Sequence, residues 1–185
     1  MLRIFLIAGY LFLHFLTLKG QELDYNIQNH FSSIKFTVIH MGFLEVAGEF
    51  KEFEGLINIS HNPNHVSMIG RIKVSSMNTE NESRDETILS DAYLDSEHYP
   101  YIKYEAVSFH KGDTMDVLNG NLTIRETSRN VEIPIKIKTA NNDVFSFVGD
   151  LTILRSDFNL DFGPMDELVG DKVSISLIIN GDREQ

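Results

Sequence analysis

The chain of 185 residues contains no cysteine, no tryptophan and only four prolines. Without cysteine it can form no disulfide and offers no thiolate nucleophile, and it lacks the residue to which a bacterial lipid anchor would be attached. A hydrophobic core must therefore hold the fold together without covalent links, and a chain of this length is long enough to bury one.

Basic residues are also scarce. There are 16 lysines and arginines against 27 aspartates and glutamates, which gives a formal net charge of −11 at pH 7. A protein of this charge repels phosphate backbones and anionic membrane surfaces at long range. The composition therefore argues against nucleic acid as a partner.

One long apolar run occupies residues 4–18, with Arg3 before it and Lys19-Gly20 after it. A short basic segment followed by an apolar segment is typical of a secretory signal peptide. A helix that spans a bilayer needs about 20 apolar residues, which is more than this run provides. We predict a cleaved signal peptide over residues 1–20, and no stable membrane insertion of the mature chain. An N-terminal membrane anchor is the alternative.

Beyond this segment, apolar residues alternate with polar ones. Residues 32–55 set the pattern: Ile34, Phe36 and Val38 alternate with polar neighbours, and Val46 resumes the alternation after a break. Period-two alternation predicts strands with one buried face. The same pattern recurs in residues 66–74, 102–109, 118–124, 131–137, 145–153 and 173–179.

The alternation changes phase within residues 32–55. Phe53 and Ile57 have the opposite parity to Phe50, and such a slip would turn the core face outward unless the chain absorbs an extra residue. We therefore predict a β-bulge near Lys51-Glu52, which would bend the strand as a barrel requires. A second slip is expected before Phe109.

About eight strands are expected, and most connections have the length of hairpins, which favours an antiparallel sheet. Glycines on the apolar face favour a closed barrel over a two-sheet sandwich, the alternative, because they permit sharp bends. A polar insertion at residues 81–100 interrupts the strands and predicts a short helix near 84–89 and one helical turn near 94–99. We find no repeats or linkers, so residues 21–185 form one predicted all-β domain.

Several short motifs, in order along the chain, resemble those of the YceI-like family. They are His40-Met41-Gly42, Arg84-Asp85, Tyr99-Pro100-x-Ile102-x-Tyr104, Arg155-Ser156-Asp157-Phe158 and Val169-Gly170-Asp171. The resemblance implies a lipocalin-like antiparallel β-barrel, export to the periplasm, and binding of a polyisoprenoid lipid inside the barrel. The chain departs from the family pattern at strand ends and turns, as at Asn159, and these changes bear on the identity of the ligand.

A barrel that holds an isoprenoid chain needs inward aliphatic and aromatic side chains and few buried polar atoms. Seven residues have the parity to line such a channel: Phe36, Val38, Phe50, Phe145, Phe147, Ile175 and Leu177. The alternative for each is that it belongs to an ordinary packed core.

Two polar residues continue apolar faces and are candidates for contacting a ligand headgroup. His40 follows the face of Ile34, Phe36 and Val38, and Arg155 follows that of Leu151 and Ile153. A guanidinium suits planar contacts with two acceptor atoms. The alternative is that both lie at barrel ends, with Arg155 paired to Asp157 or Asp171.

Motifs of catalysis are missing: we find no Gly-x-Ser-x-Gly, no phosphate loop and no His-Glu-x-x-His. His61 and His65 flank an Asn-Pro-Asn turn, where histidines are solvated more often than bound to metal. We predict no catalytic residue, metal or cofactor.

The preferred function is an exported carrier or sequestering protein for an isoprenoid, quinone-like or other long-chain lipid. A filled barrel that acts through its loops and an enzyme at the barrel mouth are the alternatives. The sequence leaves open whether the chain forms a homodimer.

Overall fold

The computed structural model describes residues 23–59 and 66–183. The predicted signal peptide, His61 and His65 lie outside these residues. The strands are β1 Leu23–Ile27, β2 Ser33–His40, β3 Leu44–Phe50, β4 Phe53–Ile59, β5 Val66–Lys73, β6 Met77–Asn78, β7 Tyr101–His110, β8 Asp116–Ile124, β9 Thr127–Ala140, β10 Val144–Leu154 and β11 Val169–Asp182. Helix α1 spans Glu82–Leu89, and 3-10 helices span Asn29–Phe31, Val74–Ser76, Ser156–Phe158 and Gly163–Leu168.

The strands form a closed antiparallel barrel. They pair in the order β1–β4–β5–β7–β8–β9–β10–β11, and β11 returns to pair with β1. Strand β2 continues β1 along β11, and β3 pairs with both β2 and the short β6. The ring of eight strands confirms the predicted all-β, lipocalin-like barrel and excludes the two-sheet sandwich, because the pairing of β11 with β1 closes one sheet on itself.

Two neighbouring barrel strands are bent at the same level. One is interrupted between β1 and β2, and the other at Lys51-Glu52, between β3 and β4. The side chain of Asn29 joins the two breaks, since its amide nitrogen donates to the Lys51 carbonyl (2.6 Å) and its amide oxygen accepts from the Phe53 amide (3.2 Å). Phe50 and Phe53 both border the barrel interior. The break thus makes the change of parity for which the sequence predicted a bulge.

A register shift between β7 and β8 confirms the second predicted slip. It falls between Ala106 and Ser108. The extra residue, Val107, is 64% exposed, whereas Phe109 is buried. Another shift lies between Ser146 and Phe147 on β10. Irregularities of this kind add the local twist and bend that let a sheet curl into a barrel.

The polar insertion between β6 and β7 contains the predicted helix. Helix α1 begins two residues earlier than predicted, because Asn81 is its N-cap and accepts a hydrogen bond from the Arg84 amide at 3.0 Å. The Asp85 carboxylate accepts from the Thr79 amide at 3.1 Å, which fixes the helix to the end of β6. The predicted helical turn follows, closed by the Tyr99 amide donating to the Asp95 carbonyl at 2.8 Å.

None of the helices among the described residues has the length and apolar character to cross a bilayer.

Candidate ligand-binding cavity

The barrel interior contains a cavity of about 220 Å³. Its wall consists of aliphatic and aromatic side chains, together with Gly70 and five polar residues: Glu54, Arg71, Tyr93, Tyr104 and Arg155. The side chains of Glu54 and Arg71 are mostly exposed and pair with each other. The polar groups that can face a ligand are therefore few.

The cavity does not reach one end of the barrel, where buried side chains pack against one another. Tyr25, Ile57 and Ile135 are each 1% exposed and border no part of the cavity. The Tyr25 hydroxyl donates to the Asn141 carbonyl at 2.6 Å, which ties the packed end to the β9–β10 hairpin. A ligand inside the barrel therefore meets a floor and cannot pass straight through.

Six of the seven apolar residues predicted for the channel border the cavity: Phe36, Val38, Phe50, Phe147, Ile175 and Leu177. The rings of Phe36 and Phe50 lie 5.5 Å apart, centroid to centroid. Gly48 makes room for them, because a Cβ at that position would collide with the Phe36 ring.

Phe145 and His40 lie elsewhere. Phe145 is 3% exposed and packs against Tyr25, with the two ring centroids 5.8 Å apart. His40 ends β2, paired with Leu44 and Val169. Neither is part of the cavity wall.

Arg155 borders the cavity, yet most of its donors are engaged. Its guanidinium donates to the carbonyls of Gly170 (3.0 Å), Leu160 (2.6 Å) and Val169 (2.8 Å). It also pairs with Asp166 at 3.0 Å, and not with Asp157 or Asp171 as the sequence alternative held. These four bonds leave one of the five guanidinium N–H groups for anything else. The residue primarily fixes the segment between β10 and β11.

The irregular segments near Arg155 also contribute to the cavity wall. They include Ile88 on α1, the turn residues Tyr93 and Leu94, and Leu160 and Phe162 before β11. The Tyr93 and Phe162 rings lie 4.3 Å apart, and the Arg155 guanidinium lies 4.6 Å from the Phe162 ring centroid. Sequence reasoning missed these residues because they lie in irregular segments, where no period reveals which way a side chain faces.

Tyr104 is a polar group of the wall that sequence reasoning also missed. It lies on β7 with the inward parity of Ile102, and its hydroxyl is buried without a hydrogen-bond partner among the described residues. Burial raises the pKa of the Tyr104 hydroxyl to about 12. A tyrosine on the apolar face of a strand was the available signal for a polar wall residue, since a buried phenol oxygen needs a hydrogen-bond partner.

Comparison with known proteins identifies the family of this barrel. The model of the YceI-like domain matches residues 25–180. The chain belongs to the YceI-like family. It is 25% identical over 182 residues to protein YceI of Salmonella agona, covering 91% of this chain and 95% of that protein.

Solved structures of YceI-like and related barrels show the same fold. BcnA of Burkholderia cenocepacia superposes with a TM-score of 0.76 at 22% identity, covering 83% of this chain and 98% of that one. A polyisoprenoid binding domain from Saccharophagus degradans superposes with a TM-score of 0.71 at 13% identity, covering 86% and 98% of the two chains.

In this YceI-like chain, the sequence motifs at residues 155–158 and 169–171 support the part of the cavity wall near Arg155. Asp171 accepts hydrogen bonds from the Ser156 amide (2.9 Å) and hydroxyl (2.8 Å). The hydrogen bond from the Ser156 backbone amide is the main reason why the pKa of Asp171 lies below its usual value. These motif residues therefore hold Arg155 and its segment in place.

Proposed function

We propose that this protein binds a slender, mostly apolar lipid inside its barrel and acts as an exported carrier or sequestering protein. The observation that carries the proposal is the internal cavity with its almost wholly apolar wall. A filled barrel that acts through its loops would have no use for such a void, since protein interiors normally pack without gaps larger than a water molecule.

The size of the cavity limits the ligand. Its volume of about 220 Å³ exceeds the roughly 150 Å³ of an engineered cavity that binds benzene. It falls short of the roughly 300–1,000 Å³ typical of pockets for drug-sized ligands. A single unbranched or isoprenoid-like chain segment fits this space, and the remainder of a longer lipid would extend beyond the residues at the cavity end.

Energetics favour exchange with a membrane over capture from water. Burying one CH₂ from water is worth about 0.8 kcal/mol, so a long chain taken from water would exceed the observed affinity ceiling of about −18 to −21 kcal/mol. A lipid that starts in a bilayer is already out of water, and its transfer into an apolar barrel is near neutral for each carbon. Selectivity then comes from cavity shape and from the few polar contacts.

The family supports an isoprenoid-type ligand. The Saccharophagus degradans structure with the same fold is described as a polyisoprenoid binding domain, and this chain's wall of branched aliphatic and aromatic side chains suits a methyl-branched chain. The apolar contacts we propose are those of Phe36, Val38, Phe50, Phe147, Ile175 and Leu177. For Arg155 a headgroup contact would use its one remaining N–H group.

Binding, and not catalysis, is the activity proposed. The described residues of the wall include no histidine, and the carboxylate among them, Glu54, pairs with Arg71. Within the described part of the chain no cluster of three or more histidine, aspartate or glutamate side chains is placed to hold a metal ion. A cavity wall of this kind offers shape and apolar surface to a ligand.

Lipid extraction and a blocked cavity test the proposal. The wild-type protein, purified from the periplasm or incubated with vesicles of bacterial lipid, is expected to release a stoichiometric isoprenoid or other long-chain lipid into organic solvent, identified by mass spectrometry. Gly70→Leu is expected to lose it, because residue 70 faces the cavity and a Cβ there meets nothing closer than 3.8 Å. Ile69→Leu is the matched control, since Ile69 is 54% exposed on the opposite face.

Two outcomes would contradict lipid binding. One is a wild-type protein that carries and accepts no lipid under either condition. The other is a Gly70→Leu protein that retains as much lipid as Ile69→Leu while folding normally.

Export is the second part of the proposal, and it rests on residues 1–20. Expression of the full chain in a Gram-negative bacterium should give a periplasmic protein shortened at its N-terminus, as measured by fractionation and intact mass. A full-length protein that stays with the membrane fraction would instead favour the N-terminal anchor. A homodimer stays a prediction.

A further inference from the structure

The turn that joins β2 to β3 exposes a group of apolar side chains. Phe43 is 81% exposed, Met41 53% and Leu44 49%. Two further exposed apolar residues accompany them, Ile39 on β2 and Leu168 at the end of the last 3-10 helix. The Met41 amide donates to the Leu168 carbonyl at 2.6 Å, which holds the turn against that helix. We call these five residues the apolar tip.

Hairpin turns elsewhere in the barrel have a different composition. Arg125-Glu126 joins β8 to β9, and Asn141-Asn142-Asp143 joins β9 to β10. The turn between β7 and β8, residues 111–115, has one exposed large apolar side chain, that of Met115. Polar residues are the rule in solvated turns. The β2–β3 turn, whose residues from 41 to 44 are all apolar apart from Gly42, departs from that rule.

The backbone of this turn favours a different residue at position 41. The Phe43 amide donates to the His40 carbonyl at 3.3 Å, and the φ angles of Met41 and Gly42 are +52° and +78°. Positive φ at both central residues is the geometry of a type I′ turn, in which Asn-Gly is a preferred pair. A methionine at the first position is strained, because its Cβ crowds the backbone in the left-handed region. The chain thus has an exposed apolar side chain where asparagine would be more stable.

The apolar tip lies at the end of the barrel that the cavity approaches. Val38 borders the cavity, and two residues further along β2 His40 pairs with Val169 at the start of β11. The other end of β11, at Asp182, pairs with the start of β10. The tip and the β9–β10 hairpin are therefore at opposite ends of the barrel, and the cavity wall reaches to within a few residues of the tip.

The size of the tip favours a lipid bilayer over another protein as its partner. A stable protein–protein interface uses about 20–30 residues on each side, whereas the tip has five. Apolar side chains at a bilayer surface need no partner of matching shape, because they enter the boundary between headgroups and acyl chains. A few protruding apolar residues suit that environment.

Charges beside the tip select the kind of bilayer. Glu45 follows Leu44 and Glu167 precedes Leu168, and both acidic residues are exposed. The whole chain has a formal net charge of −11. Anionic headgroups would be repelled by the local and the overall charge, whereas zwitterionic headgroups have no net charge to repel.

We propose that the apolar tip docks the protein on a zwitterionic lipid bilayer, with the cavity end of the barrel toward the membrane. Docking is peripheral and reversible, because the tip supplies side chains to the bilayer surface and no spanning segment. The purpose of docking rests on the proposed lipid binding, since it brings the cavity close to the membrane from which the ligand comes. The contact itself does not require a lipid in the cavity.

The absence of tryptophan from the chain permits a direct test, since a single introduced indole reports on its own surroundings. The protein used starts at residue 21 and contains every residue that the structure describes. On addition of phosphatidylcholine vesicles, Phe43→Trp is expected to shift its emission to shorter wavelengths and to be quenched by brominated acyl chains. Vesicles that contain phosphatidylglycerol should give a smaller shift. Val107→Trp is the matched control, because Val107 is 64% exposed on β7, outside the tip, and its emission should not change.

Substitutions in the tip separate docking from stability. Phe43→Ser should weaken binding to phosphatidylcholine vesicles, measured by flotation, by about 10-fold or more, the usual effect of burying one large apolar side chain. Met41→Asn should also weaken binding, yet melt at the wild-type temperature or above it, because asparagine suits the turn. If Met41 had only a structural role, Met41→Asn would bind vesicles as the wild type does.

Three outcomes would overturn the proposal. The first is an equal response of Phe43→Trp and Val107→Trp to vesicles, and the second is flotation of Phe43→Ser with vesicles at the wild-type level. The third is an emission shift of Phe43→Trp that follows protein concentration without vesicles, since a second copy would then cover the tip. Lipid binding is judged separately. Gly70→Leu should dock as the wild type does, and a wild-type protein that docks yet carries no lipid would contradict the proposed function alone.

Discussion

The hydroxyl of Tyr104 occupies the space that a side chain at position 120 would fill. A Cβ at Gly120 would come within 2.6 Å of that oxygen and within 2.5 Å of the Glu105 carbonyl oxygen. Across the neighbouring strand pair, Gly70 faces the same tyrosine with no such crowding. Two glycines on the same apolar face therefore have different physical roles, and substitution separates them.

Gly120→Ala and Gly70→Ala should change stability in opposite directions. The first forces a methyl group into a backbone oxygen and an aromatic ring, and overpacking of this kind costs about 1–3 kcal/mol. The second finds room, and removing a glycine from the unfolded ensemble stabilises by about 0.4–1 kcal/mol. Urea unfolding of the two variants measures both. Equal destabilisation would contradict the assignment of open space beside Tyr104.

Alkaline unfolding should depend on Tyr104. Burial raises the pKa of its hydroxyl from 10.0 to about 12, so the unfolded chain ionises first as the pH rises. The free energy of unfolding is therefore unaffected by this ionisation below pH 10 and falls as the pH rises toward 12. Melting temperatures measured between pH 9 and 12 should fall more steeply for the wild type than for Tyr104→Phe. Parallel curves for the two proteins would contradict a role of Tyr104 in alkaline unfolding.

Arg155→Leu should be strongly destabilising. The substitution leaves the carbonyls of Leu160, Val169 and Gly170 without the donors they now have, and buried unsatisfied groups cost about 1–3 kcal/mol each. A loss of about 2–4 kcal/mol is expected after the segment relaxes. Arg71→Leu is the control, because its partner Glu54 is exposed and such pairs contribute about 0–1 kcal/mol. Similar losses from both variants would refute the structural role of Arg155.

His98 and Asp95 give the insertion a modest pH dependence. Their hydrogen bond, 2.8 Å long, raises the pKa of His98 above 6.5 and lowers that of Asp95 below 3.8. The His98 contribution is therefore complete below pH 6.5 and is lost as the pH rises through its folded pKa, while the Asp95 contribution is lost as the pH falls below 3.8.

A proton NMR titration of the His98 ring checks this shift directly. Asp95→Asn should return the His98 pKa toward its ordinary value, since the substitution removes the carboxylate that accepts the His98 hydrogen bond, together with its negative charge. An unchanged titration in Asp95→Asn would show that Glu97 or Asp91, whose charges also raise this pKa, dominates instead.

Much of the barrel was predictable from the sequence because its physics is local. Alternation along each strand reports one buried face, and the opposite parity of Phe50 and Phe53 reports the bend between β3 and β4. The slip before Phe109 appears as the exposed bulge residue Val107. Helix α1 was expected from a polar stretch, and its start was placed two residues late because the N-cap Asn81 was not recognised. The pairing of Arg155 was not predictable, since Asp166 reaches it through a 3-10 turn that has no period.

The candidate site was predictable only in part. Phe36, Phe50 and Phe147 border the cavity, as their parity suggested, yet parity also selected Phe145, which packs against Tyr25 away from the cavity. Tyr104 has the same parity as its apolar neighbours and went unnoticed. Alternation states that a side chain points inward, and it contains no information about what the side chain meets there.

The amino-acid order predicts the fold class, a barrel of about eight strands, the places where strands bend and the family of the chain. Each of these depends on neighbours in the chain or on motifs of a few residues. Which inward residues pack and which surround a void is visible only in the folded barrel, because that depends on side-chain volumes summed across eight strands. Phe145 and Phe147 are two positions apart on one face, and the space beside Tyr104 is set by Gly70 and Gly120 on two other strands.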